Sequence, residues 1–344
     1  MRSIVLHRFG GPENMAMVEA PEPTPRAGEV LVRVRACGVC YHDLIARRGS
    51  LGGEVPMTLG HEIVGEVLAL GPGVTGFAVG DRVATLQRMS CGACKHCLAD
   101  RASLCKVDRR FFGEEIPGGY ATHMVAPAHG LCPVPAALSW DEAATICCTT
   151  GTAIHVCRTQ GRVKDGETVL VTGASGGVGQ KAVQLCRLAG AKVIAVTTSR
   201  AKAATLEALG ADHVVVAPDL EFAGAVKKIT RGEGVDVALE IVGSASFGAT
   251  LKSLAPGGRA VVVGNLDTRT FDLNPGLVIV KELQILGAYA TSKDELRQAF
   301  ELTAKGHVKS CVSEVHPLDE AARVHARLER REIAGRAVLV PPGA

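Results

Sequence analysis

The sequence predicts an α/β protein in two parts, a mostly β segment over residues 1–150 and a doubly wound parallel sheet beyond it. Three observations predict this. Residues 30–36 (VLVRVRA) alternate apolar and polar side chains at period two, as a half-buried strand does. After residue 150, short apolar runs alternate with helical stretches, the pattern of parallel strands joined by right-handed crossovers. The chain has 344 residues, enough for about two domains of ordinary size.

In chain order, Pro21, Pro23 and Pro25 mark an extended lead-in to the strand at 30–36. Strands are expected at 60–70 and 81–86, split by the turn Gly71-Pro72-Gly73. Residues 168–172 form a short apolar strand, followed by a glycine-rich turn and a helix over 180–189. Strand 193–196, helix 202–209 and strands 214–216, 235–239 and 260–263 continue the series, with Ile285 opening the last strand. A helix at 293–305 and a strand at 337–340 complete the chain.

Composition narrows the function. Lys plus Arg is 38 and Asp plus Glu is 35, a net charge of +3. That is too small to indicate a nucleic-acid or acidic-membrane partner. With 47% hydrophobic and 21% charged residues the chain is globular in composition, not disordered. No apolar run reaches the roughly 18 residues needed to span a bilayer. Residues 1–8 lack the apolar stretch of a signal peptide, so a cytoplasmic protein is expected. In a reducing compartment the 12 cysteines are metal ligands or core residues rather than disulfides.

Four of those cysteines, Cys91, Cys94, Cys97 and Cys105, are spaced C-x2-C-x2-C-x7-C in a polar loop. Such spacing lets a loop fold its thiolates around one Zn²⁺, which has no geometric preference of its own to resist. Four thiolates close the coordination shell, so this zinc is structural; an iron–sulfur cluster is the rival occupant. A second set is dispersed: Cys40, the pair His61-Glu62, and Cys147-Cys148. Three ligands plus one open position make a catalytic zinc site, but spacing this long specifies nothing without a fold.

The turn Gly173-Ala174-Ser175-Gly176-Gly177-Val178-Gly179 follows a strand and opens a helix. Its glycines permit a tight turn and let a pyrophosphate approach free N–H groups at the helix N-terminus. At the end of the next strand, NAD enzymes carry a carboxylate for the ribose 2′-hydroxyl. Here that place reads Thr197-Thr198-Ser199-Arg200, with Lys202 beyond. Hydroxyls and two cations suit a 2′-phosphate, so NADP(H) is preferred over NAD(H).

In this order, Gly38-Val39-Cys40 with Asp43, Gly60-His61-Glu62, the four-cysteine loop, the glycine turn and the ending Gly335-Arg336-Ala337-Val338-Leu339-Val340 resemble the zinc-dependent alcohol dehydrogenases of the medium-chain dehydrogenase/reductase superfamily. The resemblance implies a GroES-like β catalytic domain over 1–150 with two zinc sites, a Rossmann domain over 151–288, and a return of 289–344 to the catalytic domain. It implies that Cys40, His61 and Cys148 bind the catalytic zinc, Cys148 being chosen because Thr152 stands four residues after it. Glu62 matches the acidic residue beside that metal and Asp43 the carboxylate that orients the histidine ligand. Arg336 matches an arginine that contacts cofactor phosphates. Val263, Gly264, Asn265, Ala288 and Tyr289 match backbone that lines the nicotinamide. A small-molecule substrate and a homo-oligomer, tetramer or dimer, are implied.

The activity so implied is hydride transfer between NADP(H) and an alcohol, aldehyde or ketone. One position departs from the pattern. Many relatives relay the alcohol proton through a Ser or Thr two residues after the first cysteine, then a His; here those places hold His42 and Ile45. A second resemblance, in Cys40-Tyr41-x-Asp43-Leu44, residues 172–179 and Gly264-Asn265-Leu266-Asp267, is to acryloyl-CoA reductases. These reduce a C=C bond conjugated to a thioester with NADPH. Retention of all three candidate ligands weighs for the alcohol or carbonyl chemistry.

Overall fold

The computed structural model describes residues 1–99, 101–267 and 269–343. They form two units. One comprises Met1–Gly151, Ala290–Gly306 and Ser310–Ala344; the other comprises Thr152–Tyr289 with His307–Lys309.

The first unit is built around strand Glu29–Val39, which pairs antiparallel with Glu62–Leu70, His123–Pro127 and Arg336–Val340. Arg82–Thr85 and Leu131–Pro133 extend the sheet on one side, and Val312–Pro317 on the other. The alternation read at 30–36 holds over 32–35, where Val32 and Val34 are buried and Arg33 and Arg35 half-buried, but not at Leu31, which is buried on the arginines' face. Beyond Ala36 both faces are covered, and the strand runs on to Val39. The register sets Gly38 opposite Glu62 on one neighbour and Val338 on the other. This brings the start of Cys40's helix close to the residues that follow Gly60. A smaller sheet, Met15–Glu19, Arg2–Leu6 and Met57–Thr58, packs its buried Ile4 and Leu6 into the same core.

Helices not expected from the sequence include Tyr41–Arg47, Trp140–Ile146 and Ala321–Glu329. Tyr41–Arg47 starts directly on Cys40, whose N–H bonds the Asp43 carboxylate at 2.8 Å. Trp140–Ile146 opens with a reciprocal cap between Ser139 and Glu142, then widens into a π-helical turn, Cys147–Gly151. Trp140, the chain's single tryptophan, lies 3.9 Å beneath the Arg82 guanidinium.

The second unit carries six parallel strands in the order His213–Val216, Lys192–Thr197, Thr168–Val171, Val235–Glu240, Leu254–Val262, Gln284–Gly287. Numbered along the chain this is 3-2-1-4-5-6, the doubly wound order with its switch point beside Thr168–Val171. Leu170, Ile194, Ala238 and Ala260 are fully buried in its core. The first helix spans Gly177–Leu188, beginning three residues before the expected 180 because the glycine turn supplies its first turn. The expected helix 202–209 divides into a 3-10 turn, Arg200–Lys202, and a helix, Ala203–Ala208. Glu240, fully buried, accepts Thr172 Oγ1 at 2.7 Å, the Val242 and Gly243 N–H groups at 2.9 Å, and Ser246 Oγ at 2.7 Å. One carboxylate thus pins the carboxyl ends of two adjacent strands.

Candidate active site and metal centres

Cys91, Cys94, Cys97 and Cys105 converge, with their sulfur atoms all within 4.8 Å of one another. Three of the separations are 3.5, 3.9 and 3.9 Å. A zinc–thiolate bond of about 2.3 Å gives a tetrahedron with edges of about 3.8 Å, so the donor set fits one Zn²⁺. Disulfides are excluded, since all twelve cysteines are free. Backbone N–H groups point at the sulfurs: Cys94 N to Cys91 at 3.3 Å, Cys91 N to Cys105 at 3.3 Å, and Asp108 N to Cys105 at 3.5 Å. Against the effect of burial, these donors bring the Cys105 thiol down to about 6.

The second cluster joins Cys40, His61, Glu62 and Cys148, all buried, with ligand atoms within 4.8 Å. Cys40 Sγ and Cys148 Sγ are 3.8 Å apart, again a tetrahedral edge. A hydrogen bond from Cys148 and the charge of Arg336 hold the Cys40 thiol low, and Cys148 is pushed up in return. Cys147, its neighbour on the π turn, is outside the cluster and pushed up by burial. His61 Nδ1 lies 2.9 Å from Asp43 Oδ1, which leaves Nε2 to face a metal.

Glu62 is fully buried and neither carboxylate oxygen has a hydrogen bond. Burial lifts it to about 8, with Arg336 opposing. Its ionic partner is Arg336, and the two thiols and the imidazole beside it, all within 4.8 Å, are the donor set that fits a zinc ion. Gly38 makes room for the Glu62 carboxylate: a Cβ there would stand 2.1 Å from Glu62 Oε2. Arg336 sits in this cluster: its guanidinium is buried, 3.0 Å from Glu62 and 3.9 Å from Cys148 Sγ, with Val39 O at 3.4 Å.

His42 stands beside the cluster, its ring 5.2 Å from that of His61 and 4.8 Å from Phe111. Its Nε2 is hydrogen-bonded to Glu114. Phe111 and Glu114 belong to a loop far along the chain, and nothing local in the sequence marks them.

In the second unit, the expected cofactor residues gather along the carboxyl ends of the strands. Gly173 has φ of +57°, and a Cβ on Gly179 would lie 2.4 Å from Gly173 O, so both glycines are required for the turn. Ala174 N bonds Val196 O at 3.0 Å, tying the turn to the neighbouring strand. Thr197 Oγ1 lies 3.3 Å from Ser175 Oγ and accepts the Ser199 N–H at 3.3 Å. Thr198, Ser199 and Lys202 are half-buried and Arg200 is exposed. Gly176, Gly177 and Val178 form the helix start. Val263, Gly264 and Asn265 follow strand Leu254–Val262, and Ala288 N bonds Val262 O at 2.9 Å, so the Ala288–Tyr289 segment runs beside them. A glycine turn at a helix N-terminus, with hydroxyls and a cation at the next strand end, can cradle a dinucleotide phosphate chain.

The doubly wound sheet, the glycine turn and the two ligand clusters are the parts expected of an oxidoreductase of the dehydrogenase type. Residues 26–136 match the alcohol dehydrogenase GroES-like domain, and residues 177–305 match the zinc-binding dehydrogenase domain. The chain belongs to the alcohol dehydrogenase family of the medium-chain dehydrogenase/reductase superfamily. It is 35% identical to the acryloyl-coenzyme A reductase of Metallosphaera sedula over 341 residues, 98% of this chain and 99% of that one. It is also 35% identical to an alcohol dehydrogenase of Geobacillus stearothermophilus over 346 residues, 98% and 99% of the two chains. The crystal structure of AibC superposes with a TM-score of 0.94 at 62% identity, covering 99% of this chain and 96% of that one.

Proposed function

We propose that this protein is an NADPH-dependent reductase of α,β-unsaturated acyl thioesters that works at a zinc held by Cys40, His61 and Cys148. The observation that carries the proposal is His42. Where an alcohol dehydrogenase of this family passes the substrate proton through a small hydroxyl, this chain has an imidazole tied to Glu114 and packed on Phe111. The full-length likeness to an acryloyl-coenzyme A reductase supports the same substrate class.

When bound, the zinc would be a Lewis acid toward the substrate carbonyl and the nicotinamide a hydride donor to the β-carbon. The chain's own residues do the rest. Asp43 fixes the ring of His61, and Arg336 balances the buried charge of Glu62. His42, oriented by Glu114, hands on the proton that the α-carbon must receive. Ser175, Thr197, Ser199 and Arg200 take the 2′-phosphate, which makes NADPH the preferred coenzyme. We further infer a cytoplasmic homo-oligomer, dimer or tetramer, as in the family.

A second reading, reduction of aldehydes or ketones and oxidation of alcohols, is favoured by the completeness of the Cys40–His61–Cys148 cluster. One experiment separates the two. NADPH oxidation is followed against matched panels of enoyl-CoA thioesters and aldehydes, with zinc quantified on the same sample. Turnover of thioesters with about two zinc ions per chain is expected. Turnover of aldehydes alone would overturn the proposal in favour of the second reading.

A further inference from the structure

Beyond Asp43 the hydrogen bonding continues into parts of the chain not yet given a role. Tyr120 Oη donates to Asp43 Oδ2 at 3.1 Å, and His325 Nε2 lies 3.0 Å from that same Oη. A phenol has one proton, and the carboxylate takes it. His325 must therefore be the Nε2–H tautomer, donating to the Tyr120 oxygen. Its Nδ1 is then a bare acceptor, and it is indeed buried without a partner. The result is a directional chain, from His325 to Tyr120 to Asp43 and from His61 to the same Asp43.

Every member is buried: Tyr120 and His325 at 0%, His61 at 1% and Asp43 at 2% exposure. Each end is braced. The Tyr120 ring lies against the backbone at Gly60, where a Cβ would stand 2.5 Å from it, immediately before His61. His325 sits on helix Ala321–Glu329, which is fastened to helix Tyr41–Arg47 by the Arg47–Glu329 ion pair at 3.0 Å. Asp43 Oδ2 thus receives two donors, Cys40 N and Tyr120 Oη, while Oδ1 faces His61. With both oxygens engaged, the carboxylate cannot swing about its terminal torsion, and the imidazole it holds is fixed in turn.

We propose that Tyr120 and His325 are positioning residues of the Cys40–His61–Cys148 metal site, aligning Asp43 so that His61 presents Nε2 to the metal. This rests on the reading of that cluster as a metal centre, and the four-thiolate site of the same chain serves as internal reference. The test is chelator competition for Zn²⁺ on the full chain, together with absorption spectra of the Co²⁺-substituted protein. Y120F deletes the hydroxyl but keeps the ring; H325L deletes the donor; H325Q retains one.

Expected is zinc binding about 10–100-fold weaker at one of two sites in Y120F and H325L. The cobalt bands of that site shift, the four-thiolate ion is retained, and H325Q recovers most of the affinity. Thermal unfolding of each variant, with the four-thiolate ion as a marker of the folded unit, separates this from loss of fold. Zinc affinity within about threefold of the parent in both Y120F and H325L, with unmoved cobalt bands, would overturn the proposal alone. A parent protein that binds only the four-thiolate ion would overturn the metal reading on which it stands.

Discussion

Single atoms separate candidate ligands from packing in this molecule. Cys147 and Cys148 are adjacent and both buried, yet only Cys148 Sγ faces Cys40, at 3.8 Å. C148S is expected to lower the zinc content from two ions per chain to one, whereas C147S keeps both; elemental analysis after dialysis decides. Arg200 is the exposed cation at the strand end that lacks a carboxylate. R200D should raise KM for NADPH at least tenfold more than KM for NADH, measured with the same acceptor; equal changes would remove the argument for the 2′-phosphate. His325 carries a prediction about pH. Burial pushes it down to about 4, with Asp43 and Glu329 drawing it up and Arg47 opposing them. In the unfolded chain it would titrate near 6.5. Between those values the unfolded state takes a proton that the native ring refuses, so stability falls as pH drops from 6.5 toward 4. The loss reaches about 3 kcal/mol at the low end. Denaturant midpoints at pH 7.5 and 5 should therefore differ less in H325Q than in the parent.

Elements turn these atoms into sites. The strand Thr168–Val171, the glycine turn and the helix Gly177–Leu188 form one unit because Gly179 has no room for a side chain. G179A would press a methyl group into the backbone of Gly173 and Ala174. Its NADPH affinity, read by fluorescence titration, should drop more than tenfold while zinc content stays at two. This element was legible in the sequence because its signal is local: a strand, a spaced set of glycines and a helix in immediate succession. The four-cysteine loop was legible for the same reason. The π turn Cys147–Gly151 was not, because the choice between α and π hydrogen bonding is made by what the helix must reach, not by residue propensity.

At the scale of the molecule, alternating strands and helices gave away the parallel sheet, while the order of its strands came only from the structure. The first unit was less readable. Its strands pair segments from opposite ends of the chain, such as Arg336–Val340 with Glu29–Val39, and no local pattern encodes that pairing. The dispersed ligands became a set only through a whole-chain resemblance. Glu114, Tyr120 and His325 lay beyond even that, since each is brought to the cluster by tertiary structure. Arg336, from the far end of the chain, is brought by tertiary structure to within 3.0 Å of Glu62 and 3.9 Å of Cys148 Sγ. Removing zinc from the whole protein with a strong chelator should abolish turnover yet leave NADPH titration intact. Joint loss of both would mean that the metal supports the fold of the nucleotide unit as well.

The pairing of Arg336–Val340 with Glu29–Val39 also has a consequence for how the molecule is made. On the ribosome, the unit that is begun first cannot be finished until residue 340 has been made, because its sheet lacks a strand until then. The second unit, contiguous over Thr152–Tyr289 but for three residues, is free to fold in the meantime. At roughly 5–20 residues per second, the nascent first unit waits on the order of 10–40 s with its sheet edge open and its clustered cysteines unshielded. Early capture of a metal ion by the compact four-cysteine loop, which needs no distant strand, would protect four of those thiols during the wait.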